Sequence, residues 1–538
     1  MSRSRLLLLV PVIAALVGCG PSRVTERMVA DVARGDTVHA EKGAEDLYGT
    51  DSDEALVKGM EVGLIRHLAG DLEGSVAALD AAAPLVDDRR KTTVTDAVAT
   101  AIVNDTVGAF QGKAYEHTQV DYYRVLDHLL LAQRQEHLWN PPRLLWPGGP
   151  LVAPLRTDAA TATLGPTDHR LRAVTYARRM TINQLKETED ANAGRRYDDD
   201  PFARVLAAAV IDTLPLDERT DSDEQFAVAM LTRALKAYAK QHATIAKDVP
   251  FRYEAPAEPA LARTLLLRHL LRYDPEEADR ALTARNLTAA AVRAPKGFGS
   301  LLVLHHAGFV ARPEPLQIGI AAVGFSTPKD ATCISWGRVG FLVEGPGHEI
   351  ATCWPVLPIP GDVVQKLLAP GGGAIIGFEL PAHRSDRPVP APATVQVDAL
   401  PPVPTEVVCD LDAYARATLK DEQPHVLLRT LLRVVAKQAV VAATSKAIRD
   451  QKDQAAGLLA FLANLVGSAA MTATESADLR AWNTLPNRVE GALIDLAPGS
   501  HRVTVSTATG PCDLGDVRIV PDRLTVVTLR TPDTIPAP

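Results

Sequence analysis

Residues 55–84 read ALVKGMEVGLIRHLAGDLEGSVAALDAAAP. Leu56, Met60, Leu64 and Leu68 recur at the spacing of one helical face. Ala69-Gly70-Asp71 interrupts the pattern as a turn. Val76, Leu79 and Ala83 resume it on a second helix, which Pro84 is expected to stop. Small residues on both segments predict a tightly packed helical hairpin, and the rest of the first half is built the same way.

Outward from this hairpin, periodic segments run from about Ser52 to Arg293. Tyr115–Glu136 carries Val125, Leu129 and Ala132 on one stripe, and Thr175–Ala191 is another candidate. Phe202–Asp212 and Phe226–Tyr238 form a pair, as do Pro259–Tyr273 and Pro275–Leu287. The helix, Gly-Asp turn and Ala-rich helix of residues 55–84 resemble a tetratricopeptide unit. No strict repeat of that length survives, so the expectation is a degenerate helical array over 51–295. Such arrays stack helix pairs into a concave, protein-binding surface. Tyr115, Tyr122 and Tyr123 fit the core or a binding groove. Trp139–Thr167, rich in Pro and Gly, interrupts the array as a long surface loop.

Near Lys296 the texture changes. Ser300–His305, Gln317–Phe325, Arg338–Glu344 and Gly373–Glu379 are strand candidates punctuated by Pro and Gly, which predicts a β-rich domain over 296–410. Residues 411–485 return to helical texture. Arg429, Arg433 and Lys437 form a basic face there, and Ala455–Met471 is nearly uncharged, as a buried helix or one that touches a membrane. Residues 486–531 predict a small β unit of two hairpins. Val489–Leu496 and His501–Thr507 flank Ala497-Pro498-Gly499, and Val517–Val520 and Leu524–Leu529 flank Pro521-Asp522-Arg523. "LAPGSHRVTV" resembles the turn-and-strand core of PEGA-type surface modules. The expected class is α+β and multidomain.

The first residues hold Arg3 and Arg5, then an apolar stretch Leu6–Val17, then Gly18 and Cys19. The apolar run is shorter than the ~20 residues of a spanning helix and has the layout of a signal peptide. Leu16-Val17-Gly18-Cys19 resembles the lipobox of bacterial lipoproteins. That resemblance implies a signal peptide over 1–18, an acylated Cys19 and a lipidated tether over 19–50. Gly20, where many inner-membrane lipoproteins carry Asp, implies sorting to the outer membrane, facing the periplasm.

The mature chain would hold 538 − 18 = 520 residues, more than one compact domain. Removing Arg3 and Arg5 takes the net charge from −8 to −10. An acidic chain with no basic block is poorly suited to nucleic acid, whose binding draws on Lys/Arg–phosphate neutralisation. Beyond Cys19 there are Cys333, Cys353, Cys409 and Cys512. Exported thiols can pair, and Cys333 with Cys353 is the expected disulfide. No two cysteines have CxxC spacing, which argues against structural zinc.

Several site patterns fail on inspection. His348-Glu349 lacks the second histidine of HExxH, since position 352 is Thr. Gly371-Gly372-Gly373 is followed by neither dinucleotide nor P-loop spacing. His305-His306 sit on adjacent strand positions and point to opposite faces, so one core and one solvated histidine are expected. Asp198-Asp199-Asp200 before Pro201 reads as a helix-capping run rather than a cation site. Asp478, Arg480 and Trp482 read as a junction locking the helical segment onto the last β unit, or as a partner contact. No catalytic group, metal ligand set or cofactor is expected.

The segments "DDPFARVLAAAV" (199–210), "LLVLHHAGFVARPEPLQIGIA" (301–321), "CWPVLPIP" (353–360) and "ESADLRAWNTLPNRVEGALIDLAPGSHRV" (475–503) occur in this order. Together with the lipobox they resemble an uncharacterised family of Gram-negative envelope lipoproteins. The likeness is sharpest at Ala477–Trp482 and at the strand with His305, Gly308 and Pro313. It implies a role linked to peptidoglycan synthesis. The expectation is a lipid-anchored, non-enzymatic scaffold for another envelope protein. The alternatives are a cell-wall or polysaccharide enzyme with two carboxylates converging within 296–410, and a purely structural link between membrane and wall.

Overall fold

A computed structural model describes residues 21–90, 108–140, 164–190, 199–248, 253–321, 340–344, 375–383, 391–423, 426, 429–430 and 477–532. The chain is mixed helix and sheet. Among the described residues its α-helices are α1 (Pro21–Ala33), α2 (Thr37–Tyr48), α3 (Ala55–Ala69), α4 (Leu72–Arg90), α5 (Ala114–Gln135), α6 (Pro166–Asp190), α7 (Pro201–Ala209), α8 (Asp221–Asp248), α9 (Ala260–Tyr273), α10 (Pro275–Thr283), α11 (Ala289–Val292) and α12 (411–423).

The stretch 55–84 folds as the predicted hairpin, α3 and α4. Gly70 closes α3 in the left-handed region at φ 79°, where its N–H reaches the carbonyls of Arg66 and His67. Gly59 and Gly63 let the two helices touch. A Cβ at Gly63 would lie 2.6 Å from Leu79, and one at Gly59 would lie 3.0 Å from Ala82. Pro84 does not stop α4, which continues to Arg90. Pro84 lies on the exposed side of α4, away from the hairpin's buried Leu79, Ala82 and Ala83.

The expected tether over 19–50 is in fact two packed helices from Pro21 onward. Met28, Val29 and Val32 of α1 and Ala40, Ala44 and Tyr48 of α2 are buried. The helices pack consecutively, each against the next, without a strict tetratricopeptide repeat. Nearly every side chain of α5 from Tyr115 to Gln133 is buried, because α4 and α6 pack beside it and a sheet lies across it. Several of its polar groups are paired within the core, Asp127 with His67, Tyr122 with His306, Arg124 with Asp121 and Gln133 with the Val526 carbonyl.

The strands are β1 (Gly299–Ala307), β2 (Glu314–Ala321), β3 (Gly340–Glu344), β4 (Ile375–Ala382), β5 (Thr394–Val397), β6 (Val403–Pro404), β7 (Glu406–Asp410), β8 (Arg488–Leu496), β9 (Gly499–Thr507), β10 (Gly510–Ile519) and β11 (Leu524–Thr531). They form sheets ordered β11-β1-β8-β7, β10-β9-β5-β6 and β3-β2-β4. β1 pairs parallel with β11, and the other pairs are antiparallel.

This topology corrects two expectations. Residues 486–531 are not a β unit of their own, since β8 pairs with β1 and β7, and β9 pairs with β5. Neither expected hairpin forms either: β8 and β9 belong to different sheets, as do β10 and β11. The turns at 497–498 and 520–523 carry the chain from one sheet to the other. The local hairpin is β9–β10.

β1 is covered on both faces. Leu302 and Leu304 join a core shared with α5, α7 and Trp482. Leu301 and Val303 join a second core with Val503, Val505, Val517 and Val527 between the two four-stranded sheets. The uninterrupted run Leu301–Leu304 is the sequence form of such a strand. His305 and His306 are therefore both buried, and neither is solvated.

Candidate functional site

The densest polar chemistry lies along β1, on both faces of the sheet. On the face toward the second sheet, His305 Nε2 is 2.7 Å from Thr531 Oγ1 and His305 Nδ1 is 3.1 Å from Glu490 Oε2. Strand register creates this set, since His305 stands opposite Glu490 on β8 and Ala307 opposite Thr531 on β11. Glu490 also accepts from Ala393 N–H at 2.8 Å and from the Thr405 hydroxyl at 2.6 Å, and it pairs with Arg488 at 2.8 Å. Burial raises the Glu490 pKa, but the hydrogen bonds and charge of His305, with those from Ala393 and Thr405, outweigh it and hold the carboxyl at about 2.

Thr531, His305 and Glu490 have the order of nucleophile, base and orienting acid. The geometry does not make them an active site. Thr531 and His305 are each only 3% exposed, so a substrate carbonyl cannot approach the hydroxyl. Besides His305, the carboxylate is occupied by three protein donors, Ala393 N–H, the Thr405 hydroxyl and Arg488, and ties β1, β8 and the segment before β5 together.

On the opposite face, His306 Nε2 is 2.8 Å from the Tyr122 hydroxyl and its Nδ1 is 3.0 Å from Thr528 Oγ1. Burial, then the charges of Arg530 and His67, hold His306 neutral, well below its ordinary pKa. His67 of α3 meets Asp127 of α5 at 2.6 Å. Tyr115, Tyr122 and Tyr123 are core residues.

The trio singled out in the sequence lies in the segment before β8. Asp478 pairs with Arg480 at 2.8 Å, and Arg480 reaches Glu54 and the Gly108 carbonyl, both at 2.9 Å. Trp482 is fully buried. The backbone beside it is held by two buried carboxylates of the N-terminal helices. Glu116 accepts from Trp482 N–H at 2.7 Å. Glu61 accepts from Asn483 N–H at 2.7 Å, from Thr484 N–H at 3.3 Å, and from both side chains. Burial pushes Glu61 up to about 7 even against these donors. Sequence reasoning missed Glu61 and Glu116, because an acidic residue on an apolar helical face gives no sign of a partner hundreds of residues away.

Asp212, Glu224 and His269 form a third cluster. His269 Nδ1 is 2.6 Å from Glu224, and its Nε2 is 3.4 Å from Asp212. The three ligand atoms lie within 4.8 Å of one another. Arg272 binds both carboxylates, at 2.8 and 3.0 Å, and Arg219 binds Asp212 at 2.8 Å. Burial disfavours the charge on Asp212, but His269, Arg272 and Arg219 outweigh it and keep its pKa below the usual carboxylate range. His269 is pushed down by burial and, more strongly, up by Asp212 and Glu224. Two guanidiniums and an imidazolium thus neutralise the acids, a donor set suited to an ion network and unsuited to a metal ion.

Within 296–410, Glu406 caps α9 through the amides of Ala260 and Leu261, and Asp410 accepts from Ala413 and Glu254. Asp200 caps α7 as expected, accepting from Phe202 and Ala203. Cys19, Cys333, Cys353, His348, Glu349, Gly371–Gly373, Arg433, Lys437 and the run 455–471 lie outside the described residues. Cys409 and Cys512 are buried. Among the described residues no helix is long and apolar enough to cross a membrane.

Outward-facing chemistry is plainest on α6. Leu171, Ile182 and Leu185 are 52%, 53% and 40% exposed. On the four–three spacing of a helix–helix seam, positions 171, 182 and 185 are apolar, while Thr175 and Arg178 interrupt it, with Arg178 paired to Asp223 at 2.7 Å. Arg172 and Lys186 are exposed beside it.

The molecule is thus a mixed helix-and-sheet protein whose buried ionisable groups serve cohesion. No family model matches the chain, and no curated protein does. Among solved structures, "Assembly Chaperone of RpL4 (Acl4) (Residues 1-338)" is similar at 16% identity over 50% of this chain and 92% of that one. Its TM-score of 0.17 is too low to carry an argument about fold or role.

Proposed function

We propose that this chain is a non-enzymatic scaffold of the Gram-negative envelope, lipid-anchored through Cys19 at the outer membrane, that docks an amphipathic helix of another envelope protein on α6. The exposed residues Leu171, Ile182 and Leu185 carry the reading. Ile182 and Leu185, neighbours on one face, with Leu171 near the start of the same helix, are exposed apolar side chains of the kind a partner helix covers. The basic flank of Arg172 and Lys186 favours a partner with acidic residues beside its own apolar stripe. The buried clusters support the non-enzymatic half of the reading, because each is closed to substrate or neutralised by its own cations. A link to cell-wall synthesis rests on the sequence resemblance.

The test is photo-crosslinking in living cells with benzophenylalanine at Ile182, beside the same probe at Leu400, an exposed residue on the sheet side. A discrete protein adduct at Ile182 and none at Leu400 is expected. The absence of any adduct at Ile182, with the protein folded and expressed, would falsify the docking face.

A further inference from the structure

We infer that one end of the helical layer is a bilayer-facing surface, with the folded body seated directly on the phospholipid headgroups. The inference rests on the reading of Cys19 as the acylated residue. It goes beyond that reading by fixing which face of the protein meets the membrane.

The geometry begins at α1. It starts at Pro21 and is packed into the core through Met28, Val29 and Val32. Only Gly20 separates Cys19 from this rigid element. Two Cα–Cα steps span at most about 7 Å, so acyl chains on Cys19 cannot enter a bilayer while the body stands away from it. A long leash would have left the orientation free, whereas a single residue lies between Cys19 and Pro21.

The end of the body beside Pro21 is well defined. Gly43 of α2 lies against Met28 of α1, and a short turn joins the two helices, so the start of α1 lies beside the end of α2. Lys58 Nζ donates to the Gly49 carbonyl at 2.6 Å, which puts the start of α3 there. Phe110 N–H donates to the Asp53 carbonyl at 2.9 Å, and Arg89 reaches the Ser52 carbonyl at 3.3 Å. These bonds add the approach to α5 and the end of α4. Arg480, bound to Glu54 and Gly108, closes the same end.

The first turns of α1 expose Val24 between charged residues of both signs, Arg23, Glu26 and Arg27, and its apolar side chain can enter a headgroup layer. Glu422 pairs with Lys113 at the start of α5 at 2.6 Å, and Asp478 pairs with Arg480, which adds both residues to the same end. The opposite end, where Arg523 pairs with Glu136 and reaches the Thr213 carbonyl, lies the length of α5 away, about 33 Å.

The experiment uses the full chain, processed in a Gram-negative host and reconstituted into phosphatidylethanolamine–phosphatidylglycerol vesicles. Benzophenylalanine is placed at Val24 or Ser52 on the proposed membrane end, or at Leu216 on the opposite end, and phospholipid adducts are counted by mass spectrometry. Leu216 is a stringent control because it is itself an exposed apolar residue. Adducts at Val24 and Ser52 should exceed those at Leu216 by roughly tenfold, given the ~33 Å separation. A Gly/Ser spacer of about twenty residues between Gly20 and Pro21, with a reach of ~25 Å, should abolish them while the protein still floats with the vesicles. Equal labelling at both ends of an acylated protein, or labelling indifferent to the spacer, overturns the orientation alone. A Cys19 peptide without acyl mass overturns the anchor and the orientation together.

Discussion

Replacing Glu61 by Gln isolates one titration on which the join between the two halves of the chain depends. Glu61 is fully buried on α3 and accepts from two backbone amides and two side chains of Asn483 and Thr484. Burial opposes its charge and the four donors favour it; the balance leaves the carboxyl near 7, against 4.5 when solvated. In the unfolded chain the proton leaves near its ordinary pKa. Below about pH 4 both states hold the proton and no penalty exists. Between about 4.5 and 7 the unfolded chain has lost the proton that the folded state still holds, so stability falls as pH rises, by about 3 kcal/mol in all at ~1.4 kcal/mol per pKa unit, and levels off above 7. Asp200 and Asp410, each pushed up to about 7 by burial, add slopes of the same sign. The wild-type curve alone therefore cannot be assigned to one residue, whereas the difference between wild type and Glu61→Gln can. Gln keeps one acceptor and turns an amide toward the remaining donors, a cost of about 1–3 kcal/mol that does not depend on pH. In urea unfolding followed by tryptophan fluorescence, the variant should be the weaker protein at about pH 5. The gap should close by roughly 2–3 kcal/mol by about pH 8. Parallel curves over that range would refute the reasoning, because they would mean that the four donors keep Glu61 ionised throughout.

Trp482→Ala should cost about 3–5 kcal/mol in the same assay, since the indole is fully buried at the junction of α3, α5 and β8; a loss below about 1 kcal/mol would show that the junction collapses around the gap. The double change Leu171→Asp and Ile182→Asp should leave stability within about 0.5 kcal/mol and remove the photo-adduct formed from α6. A comparable adduct from the double variant would move the docking surface elsewhere. Wild type and His269→Gln should bind zinc equally in equilibrium dialysis, because the guanidiniums of Arg219 and Arg272 already occupy the carboxylates. A zinc equivalent lost with His269 would make that cluster a metal site.

The amino-acid sequence by itself determined the local elements, because their causes are local. Apolar periodicity places α3, α5 and α8, Gly70 supplies the left-handed cap that ends α3, and Asp200 and Asp274 cap the helices that follow them. The unbroken apolar run Leu301–Leu304 even carried the signal that β1 is covered on both faces, which would have predicted two buried histidines. Tertiary structure alone decided which elements meet. A two-residue turn such as Ala497-Pro498 fits a hairpin or a crossing between sheets equally well. The choice was made by side chains far along the chain: β11 pairing parallel with β1, β9 with β5, and Glu61 and Glu116 receiving the amides of residues 482–484. A buried carboxylate needs donors from somewhere, but its position in the sequence does not say from where. The same holds for Cys19 and α1. The sequence marks the residue that would carry the lipid, and only the packing of Met28, Val29 and Val32 into the core removes the leash and gives the anchor a direction.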